Sequence, residues 1–559
     1  MWASVPLRQA SLLKSSMNLP KIAVFPREEY SRRSRMFDAL APLYDVTFVP
    51  EEESLLASHR YAIIIGSARE FVKRVADGGT KVLAFCDQEE SQISNPRTKV
   101  QLSESDHLPV SFRGCTLEDD SLTEYSQLDL EPEDEVLAKK EENLLWIRNQ
   151  ETAETIDLTA MSLPELAPKE YLFTYFNHAN WMRLLPALHF LAEISPWKLP
   201  PLRSCFMFDD PNLHWKTYGH VDYRALAEQG KEHNYHSSFA MVPFDGWYVN
   251  REAFSIFEDN KERLSFLIHG NNHTARELIS TEGQDNRRRL TAQAIQRIRK
   301  VEERAGFGIP RVMAAPHGAC NPEMAGAMMR GGIEAACISR ASIMGRNSRL
   351  SWPVTIGLEV SEFMGGGLPI IPRFNIRLDR GSEFSVRLAA FLGHPIIPVG
   401  HHNDLRKGLG LLSKLAALIN SLGDVQWVDM KAITETNFCT LEDADSNLLN
   451  IKMFSRRVRF RIPEGMTSLR IIRPWLGLEA KESLELRVGD ITESLNSGQE
   501  TIIEVPPGQD VEIASVHPES FDPFDVAVCR TPLRALFRRV LCEVRDRLYP
   551  IKEFLGLSH

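Results

Sequence analysis

The sequence predicts a multidomain α/β chain: a central deformed (β/α) barrel, a Rossmann-like parallel-sheet domain before it and a β-sandwich after it. Three observations predict this. Between residues 21 and 86, short apolar runs ("KIAVF", "VTFVP", "YAIIIG", "KVLAFC") alternate with amphipathic segments such as "AREFVKRVADGG". That is the pattern of βαβ units on a parallel sheet. Between 202 and 432 the alternation resumes through seven or eight units, the count and length of a β/α barrel. After 445 the texture changes to short strands with turn signals, such as "RRVRFRIP", "SLRIIRP" and "ETIIEVPPG", as in a small β-sandwich.

The elements follow in order. At 559 residues the chain has room for roughly three or four domains of about 150 residues each. Residues 1–20 read as a tail without the apolar core of a signal peptide. Residues 21–95 form the Rossmann-like domain; no GxGxxG follows a strand there, so nothing supports dinucleotide binding. Residues 96–195 turn polar and acidic, reading as β-hairpin and connecting material, and close on an apolar helix in "NHANWMRLLPALHFLAEI". Residues 196–440 make the barrel. Its strands are "SCFMFDD", "HSSFAMVP", "RLSFLIHG", "RVMAAPHG", "IEAACIS", "FNIRLD", "PIIPVGHH" and "VQWVDM". Its clearest helices are "RRRLTAQAIQRIRKVEERAG" and "LLSKLAALINSLG", and "FMGGGLPI" reads as a flexible loop. Residues 441–516 are the sandwich, expected to carry none of the chemistry. Residues 517–559 are a C-terminal amphipathic helix. Leu533, Leu536, Phe537, Val540, Leu541, Val544 and Leu548 fall on one face of it at helical spacing. An apolar face of this kind predicts a helix docked on its own protein; the arginine-rich polar face would suit an anionic membrane surface.

Bulk properties exclude several classes. A net charge of −10 argues against a general nucleic-acid binder, which carries a basic face. The eight cysteines are scattered without a Cys-x-x-Cys pair, so neither a disulfide framework nor a cysteine-type zinc site is expected. No window approaches a membrane span, and the chain reads as cytoplasmic.

The chemistry gathers at strand ends. "SCFMFDDPN" runs an apolar strand into Asp209 and Asp210, although neighbouring strand residues face opposite ways. Like charges packed together also raise each other's pKa unless a cation lies nearby. Further strands end in His269 with His273 four residues on, in Pro316-His317-Gly318, and in His401-His402. Five of the sixteen histidines thus stand at three strand ends. Two imidazoles and one carboxylate are a common ligand set for zinc or another divalent first-row ion, leaving positions open for water and substrate. No acid lies between His269 and His273, so a general base has to come from elsewhere, and Asp209 can supply it while its neighbour binds the ion.

The series "FMFDDPN", "HGNNH", "AAPHG" and "PIIPVGHH", in this order on a β/α repeat, resembles the polysaccharide deacetylase family, metal-dependent enzymes that remove N- or O-acetyl groups from sugars. The resemblance covers about 230 residues. It implies Asp209 as catalytic base, Asp210, His269 and His273 as metal ligands, and His401 or His402 as general acid. His401 is favoured, because it shares a strand face with Val399. The chain departs from the family pattern in four places, the first being Pro211 where a glycine usually follows the aspartate pair. The arginine of the third motif is Ala314, its aromatic residue is His317, and no counterpart of the Asp-x-x-Asp-Trp motif is found.

The expected function is hydrolysis of an N-acetyl group on a sugar or glycan precursor, with one divalent metal, zinc first. An acetylated sugar, a nucleotide-sugar or a glycan is the expected partner, met by Pro316, His317 and the loop aromatics Trp215 and Trp247. A decayed barrel that only binds carbohydrate or acts as a scaffold, or a hydrolase of a non-sugar amide, are the alternatives.

Overall fold

The computed structural model describes residues 19–86, 98–119, 125–177, 180–274, 276–346, 352–377, 380–477 and 479–554. They divide into two compact units, one of residues up to 197 with 352–359, the other of 198–346 with 360–554.

The first unit is built on a nine-stranded sheet. Lys21–Phe25, Thr47–Pro50, Tyr61–Ile65, Lys81–Phe85 and Ile156–Thr159 pair in parallel. Asn143–Asn149, Asp134–Lys140, Thr98–Leu102 and Thr116–Asp119 extend the same sheet antiparallel. The hairpin material of 96–195 therefore continues the parallel sheet, because Ile156–Thr159 returns to pair with Lys81–Phe85. Central strands such as Tyr61–Ile65 are buried nearly throughout, as strands covered on both faces must be. The expected apolar helix is present as Leu185–Ile194, buried at most positions.

The second unit holds another nine-stranded sheet, in the order Glu362–Met364, Leu368–Pro372, Ala335–Ile338, Val312–Ala314, Leu264–His269, Ser237–Met241, Phe206–Asp209, Pro398–Gly400 and Phe374–Asn375. All pairs but the first are parallel. Among the described residues no pairing joins the two end strands. The sheet nonetheless shares one interior: Met207, Ala240, Leu267, Val312, Cys337, Ile371 and Val399 belong to a single buried cluster. Parallel pairing puts the C-terminal strand ends on one edge, and that edge carries the site.

Two sequence expectations fail here. "FMGGGLPI" is not a loop. Gly365, Gly366 and Gly367, with φ of 61°, 86° and 127°, turn a hairpin whose second strand, Leu368–Pro372, is fully in the sheet. Glycine takes these angles without the steric cost other residues meet. The eighth strand, "VQWVDM", is reduced to Gln426–Trp427 and pairs with Arg203–Ser204 in a separate two-stranded ladder.

Beyond 437, two four-stranded sheets contribute side chains to one cluster, Leu449, Ile451, Leu469 and Ile503 from one and Val458, Leu484, Val511 and Ile513 from the other. The C-terminal helix, Leu533–Phe554, is present, but inverted. Its seven predicted core residues are all exposed, while Ala535 and Arg539 are buried. Ion pairs and hydrogen bonds dock it through its polar face.

Candidate metal and catalytic site

The strand Phe206–Asp209 is wholly buried and delivers Asp209 to the sheet edge. Asp210 then adopts a left-handed backbone, φ 59°. This breaks the strand's alternation of faces, so both aspartates line one cavity of about 370 Å³. His273 and His317 are also left-handed, at 52° and 56°. Such angles cost about 1–3 kcal/mol each in a non-glycine residue and cluster where function demands a particular side-chain direction.

His269 ends its own strand, and its Nδ1 lies 2.9 Å from the Ala314 carbonyl oxygen. A carbonyl only accepts, so Nδ1 carries the proton and Nε2 presents a lone pair. That Nε2 is 3.6 Å from Asp210 Oδ1, and His273 Nε2 is 3.2 Å from the same oxygen. The three ligand atoms lie within 4.8 Å of one another. Ligands about 2.0–2.2 Å from one tetrahedral ion stand a little over 3 Å apart, so the spacing suits a metal. Two further features fit. Asp210 Oδ1 is buried with no hydrogen bond directed to it, and burial holds His273 down to about 4, neutral at pH 7 as a ligand must be.

The turn carrying His273 is held by a residue that sequence reasoning missed. Glu277, buried, accepts the backbone N–H groups of Asn271, Asn272 and His273 at 2.7, 3.0 and 3.0 Å. Gly270 (φ 61°) permits this: a Cβ there would stand 2.4 Å from Glu277 Oε1 and 2.6 Å from Pro316 Cγ. Arg297, on the helix Gln284–Ala305, fixes the outer side by donating to Asn271 Oδ1 at 2.6 Å and Asn272 Oδ1 at 2.9 Å.

Asp209 has a different partner. Arg373 Nη1 donates to its Oδ1 at 2.9 Å, and Arg373 Nη2 donates to the Ala315 carbonyl at 3.3 Å. Burial pushes the Asp209 carboxyl up, but Arg373, His269 and His401 outweigh it and hold it below its ordinary value. The cation missing at Ala314 is thus supplied from the end of the unforeseen strand Leu368–Pro372. The strand was hidden by its glycines and prolines, and its arginine with it.

The remaining candidates separate. His401 follows the strand Pro398–Gly400, is exposed and lines the cavity, its N–H donating to Asp404 Oδ2 at 2.8 Å. His402 is buried, its ring 4.9 Å from Tyr218 and 5.7 Å from His220. His317 lines the cavity with its ring 5.0 Å from that of His273. Pro316 is buried against Gly270 and does not line the cavity. Trp215 and Trp247 are exposed on loops outside it; Trp247 packs edge-on against His214 at 5.2 Å.

The C-terminal segment reaches the same loops. Arg538 Nη2 donates to Asp245 Oδ1 at 2.6 Å, and Arg539 Nη2 lies 2.8 Å from His214 Nδ1 and 3.2 Å from Asn212 Oδ1. Upstream of the helix, Gln293 donates to the Cys529 carbonyl and Arg297 to Thr531 Oγ1.

No family model matches the sequence, and no curated protein matches it. Among solved structures, the chain is similar to the crystal structure of Agd3, described as a novel carbohydrate deacetylase, over 89% of this chain and 99% of that one, with a TM-score of 0.50 and 9% identity. The likeness is one of fold. Smaller parts are similar to a family 4 carbohydrate esterase from Streptomyces lividans in complex with acetate (36% of this chain, 92% of that one, 15% identity, TM-score 0.20). A CE4 esterase from Streptococcus mutans is matched over 41% of this chain and 86% of its own, with 11% identity and a TM-score of 0.25.

Proposed function

We propose that this protein is a metal-dependent deacetylase that hydrolyses an N-acetyl group on a sugar or glycan precursor. One observation carries the reading: the donor atoms of Asp210, His269 and His273 converge beside a separately held Asp209, on a cavity that His401 also lines. A divalent ion bound by those three residues, zinc first among them, supplies a Lewis acid and an activated water near neutral pH.

The chain's own residues do the rest. Asp209 takes the proton of the attacking water; its single contact with Arg373 keeps it ionised and aimed. His401, exposed at the cavity wall, gives a proton to the departing amine, and His402 supports it from the buried side. In the loop after Val312–Ala314, the N–H groups of Ala315, Gly318 and Ala319 are spent on carbonyls within the fold. We assign the His317 N–H to the developing oxyanion. Arg373 removes the main ground for a decayed barrel, since the steadying cation is present on another strand. We read the paired sheets beyond 437 as a β-sandwich outside the chemistry.

Acetate release from a panel of N- and O-acetylated sugars and oligosaccharides tests the reading. Release from an N-acetylated member, lost in Asp209→Asn, is expected; release from none, with metal bound, would overturn it.

A further inference from the structure

The C-terminal helix turns its apolar face outward. A solvent-exposed stripe of this kind is unusual, because an amphipathic helix gains most of its stability by burying that face. Phe537 is 66% and Val540 58% exposed, and the row from Leu533 to Leu548 runs about 22 Å along the helix at 1.5 Å per residue. The orientation is fixed by built contacts rather than by default. On the opposite face Arg538 pairs with Asp245 and Arg539 meets His214 and Asn212. The approach is tied as well: Gln296 donates to the carbonyls of Pro523 and Val526. The loops that receive the helix bear three exposed rings of their own, Trp215, Trp247 and Tyr248.

We propose that this outward face, together with the exposed rings of the loops that receive the helix, seats the protein on an anionic lipid surface. Contiguous exposed apolar residues of this extent mark interaction sites, and three observations choose the partner. First, setting aside Arg538 and Arg539, which face the protein, and Glu543, which pairs with Arg539, residues 530–554 carry four arginines and one lysine against one aspartate and one glutamate, a net of +3 in a chain of −10. A two-fold pairing of this face with a second copy would set that basic segment against itself, whereas an anionic surface complements it. Second, tryptophan and tyrosine favour the headgroup level of a bilayer, where an apolar ring with a polar edge is at home. Third, no described helix is long and apolar enough to cross a membrane, so on a lipid surface this one would lie in the interface plane. The loops it grips are those that follow Asp210 and the strand Ser237–Met241, so the lipid surface adjoins the cavity edge. The proposal does not depend on the hydrolase reading, and its test reads binding alone.

The full chain is sedimented with vesicles of phosphatidylcholine alone and of phosphatidylcholine with phosphatidylglycerol in equal parts. Binding to the anionic vesicles at least tenfold tighter than to the neutral ones is expected, weakened by 0.5 M salt. Phe537→Asp with Leu541→Asp should reduce that binding at least tenfold while the thermal melt stays within a few degrees. Arg534→Glu, at an exposed position, should weaken only the preference for anionic lipid. Should the double variant fail to fold, wild-type tryptophan fluorescence with bromine-labelled acyl chains serves instead, with quenching expected that Trp247→Phe diminishes. The proposal is overturned if the wild type stays in the supernatant with both vesicles or if the folded double variant binds as well as wild type. It is equally overturned if Trp247→Phe leaves quenching undiminished, or if light scattering finds a dimer that the double variant dissolves with no vesicle binding.

Discussion

Two buried arginine–aspartate pairs, one in each unit, show how little an ion pair alone says about chemistry. In the first unit Arg148 grips Asp157 through both oxygens, Nε to Oδ1 at 2.8 Å and Nη2 to Oδ2 at 2.7 Å, and Trp146 Nε1 adds a third donor at 3.2 Å. Arg148 also reaches Glu193. In the second unit Arg373 meets Asp209 through one oxygen, and the carboxylate lines a cavity beside three convergent ligands. Both pairs are almost fully enclosed. What differs is saturation: the lone pairs of Asp157 are committed to the fold, whereas Asp209 keeps acceptor capacity facing the place where a proton would be taken.

The largest expected effect breaks the comparison outright. Asp209→Asn should lower the hydrolysis rate by about 10²–10⁴-fold, the usual worth of a general base. Asp157→Asn should leave the rate unchanged and cost stability instead, about 3 kcal/mol for breaking a buried pair. Denaturant titration beside steady-state kinetics separates the two outcomes; equal rate losses would erase the distinction. Next, Arg373→Met should cost about 3–5 kcal/mol in stability, because Asp209 is left buried without its cation. It should also slow turnover, which Arg148→Met should not.

A smaller effect is expected at the metal turn. Glu277→Ala removes the acceptor of three backbone N–H groups and should weaken metal affinity by about 10–100-fold, as losing a supporting residue behind a ligand does; competition with a chelator measures it. The smallest effect lies in the first unit and concerns pH. Burial lowers the His189 pKa below its ordinary value, despite the neighbouring carboxylates of Glu193 and Asp157. The folded state therefore binds its proton less readily than the unfolded chain. The stability this gives is complete above about 6.5, the unperturbed value, and is lost as pH falls toward the folded pKa. His189→Leu should flatten the dependence of Tm on pH between 7 and 5; an unchanged slope would assign the dependence to other groups.

The strand-end pairs were legible because apolar runs of four to six residues stop abruptly at Asp209-Asp210 and at His269, and parallel strands put such stops on one edge. The sequence could not announce Arg373. Three glycines and two prolines around Leu368–Pro372 are loop signals, and proline in a strand normally demotes it; only pairing with Ala335–Ile338 makes it one. Glu277 was overlooked because its role is to accept backbone N–H groups, a task with no spacing rule of its own. For the C-terminal helix, periodicity revealed two faces but not which one docks. That choice is made by Asp245, His214 and Asn212, some 300 residues earlier in the chain, whose polar groups receive Arg538 and Arg539.

The division of labour between the two adjacent aspartates is tested most directly by metal content. Wild-type protein, Asp209→Asn and Asp210→Asn are purified identically, loaded with zinc, desalted and analysed by mass spectrometry of the metal. About one ion per chain is expected for wild type and for Asp209→Asn, on the three-ligand logic of the site, and a small fraction of that for Asp210→Asn. Equal metal in all three, or a loss confined to Asp209→Asn, would contradict the account.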